Sequence, residues 1–151
     1  MKSFFTTLAL GTLISMASAL PSNISNQCDG WSVAPLEHTS GVQDAFAAKN
    51  KVTLKWSIDN SKVKYIREID LVSAKSGEFL HTQLRRYPGL EATDEQVSFT
   101  LSVPLCLQRE GEYYLEVFAS TPGNEADCSL RTPTFKITPD PNGDYSICES
   151  Q

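Results

Sequence analysis

Few side chains in this 151-residue sequence are equipped for catalysis. Its two histidines, His38 and His81, stand in separate polar stretches read as surface positions. No G-x-S-x-G elbow supplies a nucleophile, and no carboxylate pattern beside a histidine completes a metal site. The acidic pairs Asp94/Glu95 and Glu110/Glu112 flank turns. Glycoside hydrolysis needs two carboxyl groups facing each other across a cleft. The sequence therefore offers no catalytic residues, no metal ligands and no cofactor motif, and the chain is expected not to be an enzyme.

Binding chemistry is better represented. Arg85, Arg86 and Tyr87 form one compact cationic and aromatic cluster, suited to an acidic partner or to stacking on a sugar ring; the plain alternative is a solvated strand end. In "GEYYLEVFAS" (111–120), Tyr113, Leu115, Val117 and Ala119 point one way, as an ordinary core face should. Tyr114 and Phe118 point the other way, toward the face expected to be wet. They either stack on a saccharide or are covered by neighbours, through cross-strand pairs or a loop carrying Phe46.

The elements that must position these residues are short alternating runs separated by turns. "WSVAPL" (31–36) reads as an irregular first strand interrupted by Pro35. "HTSGVQDAFAAKN" (38–50) reads as a loop with one helical turn near "QDAFAAK". "KVTLKWSI" (51–58), "YIREIDLVSA" (65–74), "FLHTQLRR" (79–86), "VSFTLSV" (97–103), 111–120 and "TPTFKIT" (132–138) read as strands. "YPGLEATDEQ" (87–96) and "TPGNEAD" (121–127) read as connections. About seven strands of this kind predict an all-β fold, a single antiparallel β-sandwich of immunoglobulin or fibronectin type III kind. "GEY" opening the second-last strand predicts a tyrosine corner, with Tyr113 tied back to the preceding loop. Leu115 and Trp56 are expected to face each other in the core.

Residues 1–19 read as a secretory signal peptide: a short basic start, an apolar run and an "ASA" cleavage site. Its loss leaves 132 of the 151 residues, enough for one domain. It also removes Lys2, so the net charge moves from −5 to −6. Such an acidic chain is a poor ligand for nucleic acid or anionic membranes. No later run is long and apolar enough for a membrane span. Residues 20–30 read as an N-terminal tail, 31–138 as the sandwich and 139–151 as a C-terminal tail tethered by Cys148. Asn23, in "NIS", is an N-glycosylation acceptor.

The four cysteines lie after the leader and lack the close pairing of a zinc site, so they predict two disulfides. With strands alternating in direction, Cys28 and Cys128 fall at one end of the sandwich and Cys106 and Cys148 at the other. Cys28–Cys128 with Cys106–Cys148 is the pairing this predicts. Cys106–Cys128 with Cys28–Cys148 is the runner-up.

"KVTLKW", "IDLVSAKSGEFLHT", "GEYYLEVFAS" and "TPTFKIT" together resemble the N-terminal domain of the fungal cell-wall synthesis family, whose yeast members assemble β-1,6-glucan. The resemblance spans residues 31–138. It implies a small secreted sandwich of the cell wall or extracellular space that binds or scaffolds wall glucan or a wall protein. It maps no catalytic residue onto the chain. Two other classes fit a secreted sandwich of this size: a lipid carrier holding its ligand between parted sheets, and an effector or inhibitor that binds a protein.

Overall fold

A computed structural model describes residues 25–39, 41–42, 45–124 and 127–148. Residues 1–19, which the sequence reading takes as a signal peptide, and Asn23 lie outside the described residues. Eleven strands follow a single helical turn at Ser25–Cys28: β1 (Ser32–Val33), β2 (Glu37–His38), β3 (Gly41–Val42), β4 (Ala45–Ala47), β5 (Lys51–Ser57), β6 (Tyr65–Ser73), β7 (Phe79–Glu91), β8 (Gln96–Thr100), β9 (Gly111–Ser120), β10 (Asp127–Arg131) and β11 (Phe135–Thr138). They form two sheets. In the five-stranded sheet, β1 and β2 lie end to end along one side of β5, β3 pairs with β2, and β8 lies along the other side of β5. The six-stranded sheet runs β4–β11–β9–β6–β7, with β10 also on β9. All pairings are antiparallel except β4 with β11. The architecture is an all-β sandwich with two disulfides.

The alternation that marks each strand also builds the core. On β5, Val52, Leu54 and Trp56 are buried while Lys51 and Lys55 are exposed. On β9, Tyr113, Leu115, Val117 and Ala119 are all buried, as the alternation predicts. Trp56 and Leu115 belong to one buried cluster with Phe46, Ile66, Leu101, Phe135 and Ile137. The Trp56 indole N–H donates to the Ala92 carbonyl at 2.7 Å, so burial leaves it partnered. The tyrosine corner is present: the Tyr113 hydroxyl donates to the Arg109 carbonyl at 2.8 Å.

Three segments differ from the sequence reading. Residues 38–50 hold no helical turn among the described residues. β4 instead pairs in parallel with β11, and Phe46 is buried opposite Ile137. The Phe46 ring stacks on His38 at 4.7 Å and meets Phe135 edge-on at 5.4 Å. A lone helical turn has little stability of its own, and pairing to β11 overrides it. His38 is accordingly half-buried rather than solvated. Second, β7 continues past Arg86 to Glu91 through a cis Tyr87–Pro88 bond, where a polar connection was expected. Third, β10 occupies residues placed partly in a loop. Pro133 has no N–H for the ladder, which breaks between β10 and β11. There Thr132 bridges: its N–H donates to the Leu115 carbonyl and its hydroxyl accepts the Leu115 N–H, both at 2.9 Å.

The disulfides join Cys28 to Cys128 and Cys106 to Cys148, with Cα atoms 5.9 and 5.4 Å apart. They close loops with separations of 100 and 42 residues. On the chain-entropy model these stabilise by about 5 and about 4 kcal/mol. The C-terminal segment is also held by polar contacts. Buried Gln108 donates to the Val103 carbonyl and accepts the Asp140 N–H, each at 2.9 Å. The Tyr145 hydroxyl lies 2.7 Å from Gln108 Oε1 and 2.9 Å from the Asp140 carbonyl, for either of which its one proton serves. Lys49 reaches the Asp140 carboxylate at 2.7 Å. That hydrogen bond, with the Asn142 N–H, holds the Asp140 carboxyl below the usual carboxylate range.

Candidate functional site

The outer face of the six-stranded sheet carries Tyr114 and Phe118. Register decides what covers them. Tyr114 lies opposite Val72 on β6, and the Arg131 guanidinium of β10 sits 4.7 Å from its ring centroid. Only 8% of Tyr114 is exposed. Arg131 also reaches Glu116 at 3.6 Å, the residue opposite it in the ladder. Phe118 is half-buried between Glu68 on β6 and Ser129 on β10. Glu68 is itself paired with Arg85 of β7, and Arg67 with Asp127 at 2.9 Å. Cross-strand ion pairs thus close this face: Glu68 with Arg85 and Glu116 with Arg131 are directly opposite on their ladders, and Arg67 reaches Asp127 across β9. Asp70 sits within it beside Glu68. Burial raises its carboxyl above the usual range, a hydrogen bond with Thr82 lowers it, and the Glu68 charge raises it further.

The remaining sequence-predicted residues separate. Arg85 belongs to the paired face. Arg86 and Tyr87 do not, because β7 bulges there: Glu68 faces Arg85, Ile66 faces Leu90, and residues 86–89 stand opposite Arg67 alone. Tyr87 is 86% exposed. The structure therefore brings Arg85 and Phe118 onto one face through Glu68, and sets Arg86 and Tyr87 apart at the sheet edge.

A well-formed concavity lies elsewhere. A cleft of about 590 Å³ opens at the end of the sandwich that carries Cys106–Cys148. Leu80, Leu107 and the Tyr113 ring give it an apolar wall. Its rim comes from two turns. The first is Ser73–Glu78, between β6 and β7, where Gly77 adopts φ +70°. Its N–H donates to the Ser73 carbonyl at 2.9 Å, and the Ser73 and Ser76 hydroxyls accept further backbone N–H groups of the same turn. This fixed turn presents Lys75 and Glu78. The second turn leads into β9 and presents Arg109, Glu110 and Glu112. It is fixed by the tyrosine corner on the Arg109 carbonyl and by the disulfide one residue before Leu107. An Ala74 N–H bond to the Glu112 carbonyl, 2.9 Å, joins the two turns.

The cleft's charges are free where those of the sheet face are not. Among the described residues, Lys75, Glu78, Arg109, Glu110 and Glu112 enter no ion pair. Burial pushes the Tyr113 hydroxyl above its ordinary value, and the nearby Arg109 charge opposes that shift. Gly111 lies beside the Tyr113 ring edge: a Cβ there would lie 3.5 Å from it, an ordinary contact. Comparison with protein-family models, curated proteins and solved structures finds no match for this chain. The reading of the site rests on this geometry.

Sequence reasoning did not find the cleft. "KSGE" (75–78) reads as a turn between strands, and Glu110 and Glu112 only as an acidic pair flanking the turn before β9. Each is a charged turn with a glycine, a signal that means little until the fold sets the two side by side. His81 is half-buried on β7, opposite Leu71, and takes no part in the cleft.

Proposed function

We propose that the protein is a secreted, non-catalytic module of a fungal-type cell wall or extracellular matrix that binds wall polysaccharide, foremost glucan, in the end cleft. One arrangement carries this reading: an apolar wall of Leu80, Leu107 and Tyr113 beneath a rim of serine hydroxyls and of charges that enter no ion pair among the described residues. A sugar ring offers C–H groups on its faces and hydroxyls, each a donor and an acceptor, around its edge. The wall suits the former. Glu78 and Glu112 as acceptors and Lys75 and Arg109 as donors suit the latter. The three rim carboxylates are exposed. That favours binding over hydrolysis, because a glycosidase keeps its general acid protonated by burying it. The resemblance of residues 31–138 to the glucan-assembly domain supports the same class of ligand. The two disulfides fit an oxidising compartment, and the net charge of −5 disfavours nucleic acid and anionic membranes.

A lipid carrier would need room between the sheets. Phe46, Leu54, Trp56, Ile66, Leu115 and Ile137, none more than 4% exposed, fill that space, which weighs against this alternative. The test is retention of the purified protein on insoluble β-1,6-glucan, β-1,3-glucan and chitin, with cellulose as control. Selective retention on one wall polymer, released by its soluble fragments, is the expected result. Equal passage through all four would refute the proposal and turn attention to a protein partner.

A further inference from the structure

We infer a second saccharide contact, separate from the cleft, on the bulge of β7, where Tyr87 and Arg86 form a stacking platform. With two contacts the protein bridges two polysaccharide chains. The inference rests on the polysaccharide reading of the protein but uses none of the cleft's residues.

Three observations carry it. Tyr87 is the most exposed large apolar side chain among the described residues. Its ring gains nothing from the core, so folding gives no reason for an aromatic there. Next, the bulge is held in place. Gly89 adopts φ +140°, and a Cβ on it would lie 2.6 Å from the Ile66 carbonyl oxygen. Only glycine permits so close an approach to β6. On the other side, Arg85 is anchored by its ion pair with Glu68. A ring carried on backbone fixed at both ends loses little freedom when a ligand stacks on it. Last, Arg86 is exposed and enters no ion pair among the described residues, unlike Arg67 and Arg85 beside it. An exposed guanidinium one residue along the bulge from an exposed aromatic ring offers the two elements of saccharide recognition: a surface for ring C–H groups and a fork of N–H donors for paired hydroxyls.

The separation gives the pair of sites its consequence. The bulge faces Arg67 and the cleft reaches Ser73 on the same strand. Six residues of extended chain place the two about 20 Å apart. Such spacing lets two chains be held at once, and a protein with two contacts gains avidity for a dense polymer.

Titration calorimetry with β-1,3- and β-1,6-linked glucan pentasaccharides tests this, with light scattering on mixing with soluble long-chain glucan. The unmodified protein should bind two pentasaccharides and raise the scattering of long chains. Tyr87→Ala should bind one, weaken the other contact about tenfold or more, and abolish the rise in scattering. Its 86% exposure means that this truncation leaves packing intact, which an unchanged circular dichroism spectrum checks. Tyr87→Phe and Tyr87→Trp keep the platform and should retain both contacts. A stoichiometry of one that Tyr87→Ala leaves unchanged overturns the second contact and spares the cleft. Loss of the single contact in Tyr87→Ala, with none lost in Gly111→Leu, overturns the cleft and the bridging with it. No binding by any variant overturns both.

Discussion

On the outer face of the six-stranded sheet, Arg85 and Arg131 are each held by the acid directly opposite on a neighbouring strand, and Arg67 reaches across β9 to Asp127. At the end cleft, Lys75 and Arg109 stand within one rim with Glu78, Glu110 and Glu112 and pair with none of them. The residue types are alike; the backbone beneath them differs. A β-ladder puts opposite charges face to face at close range, so they satisfy one another and cover what lies beside them. Two turns that converge from distant parts of the chain give no such register. Their charges remain in solvent, available to a ligand, around an apolar wall. Aromatic side chains on a sheet face are therefore weak evidence of a binding surface, and free charges over an apolar cleft are stronger evidence.

The comparison can be broken at several points. The largest effect should come from replacing Cys106 and Cys148 together by serine. Stability should fall by about 4 kcal/mol in denaturant titration. Glucan retention should fall with it, because Leu107 and Arg109 lose their anchor. Gly111→Leu should keep the fold, since a Cβ there makes only an ordinary contact, and an unchanged circular dichroism spectrum checks this. The substitution should weaken glucan binding about tenfold by filling the cleft. Arg131→Ala should do the reverse. It removes the cation from the Tyr114 ring and the contact with Glu116, costing about 1 kcal/mol, and should leave retention on glucan unaltered.

The smallest effects are electrostatic. Asp70 has its pKa raised above the ordinary 3.8, so its ionisation opposes folding as pH rises through the raised value. Asp70→Asn should therefore stabilise at pH 7, and the gain should vanish below pH 3.8. Asp140 is shifted the other way. Its contribution is complete above 3.8 and lost as pH falls through its lowered value, so Asp140→Asn should flatten the acid limb of the stability profile. Thermal melts between pH 2 and pH 7 read both.

Much of the fold was legible because the physics was local. Period-two alternation assigned the inner face of β9, and "GEY" announced the bond from Tyr113 to Arg109. Strand direction alone sorted the four cysteines into their two pairs. What failed was non-local. The cover over Tyr114 comes from Arg131, in a strand too short and too close to Pro133 to be recognised. Pro88 and Gly89 read as an end to β7, whereas they shape a bulge within it. The cleft needs residues 73–80 beside residues 107–113, and only the finished sandwich makes that meeting.

The most direct measurement is a nitrogen-15 chemical-shift map of the protein titrated with the soluble fragment of whichever wall polymer retains it. Perturbations concentrated at residues 73–78 and 109–113, with the bulge at 86–89 responding separately, are the expected result. Perturbations concentrated on Glu116, Phe118, Ser129 and Arg131, with the cleft silent, would contradict it. They would make the ion-paired sheet face the binding surface.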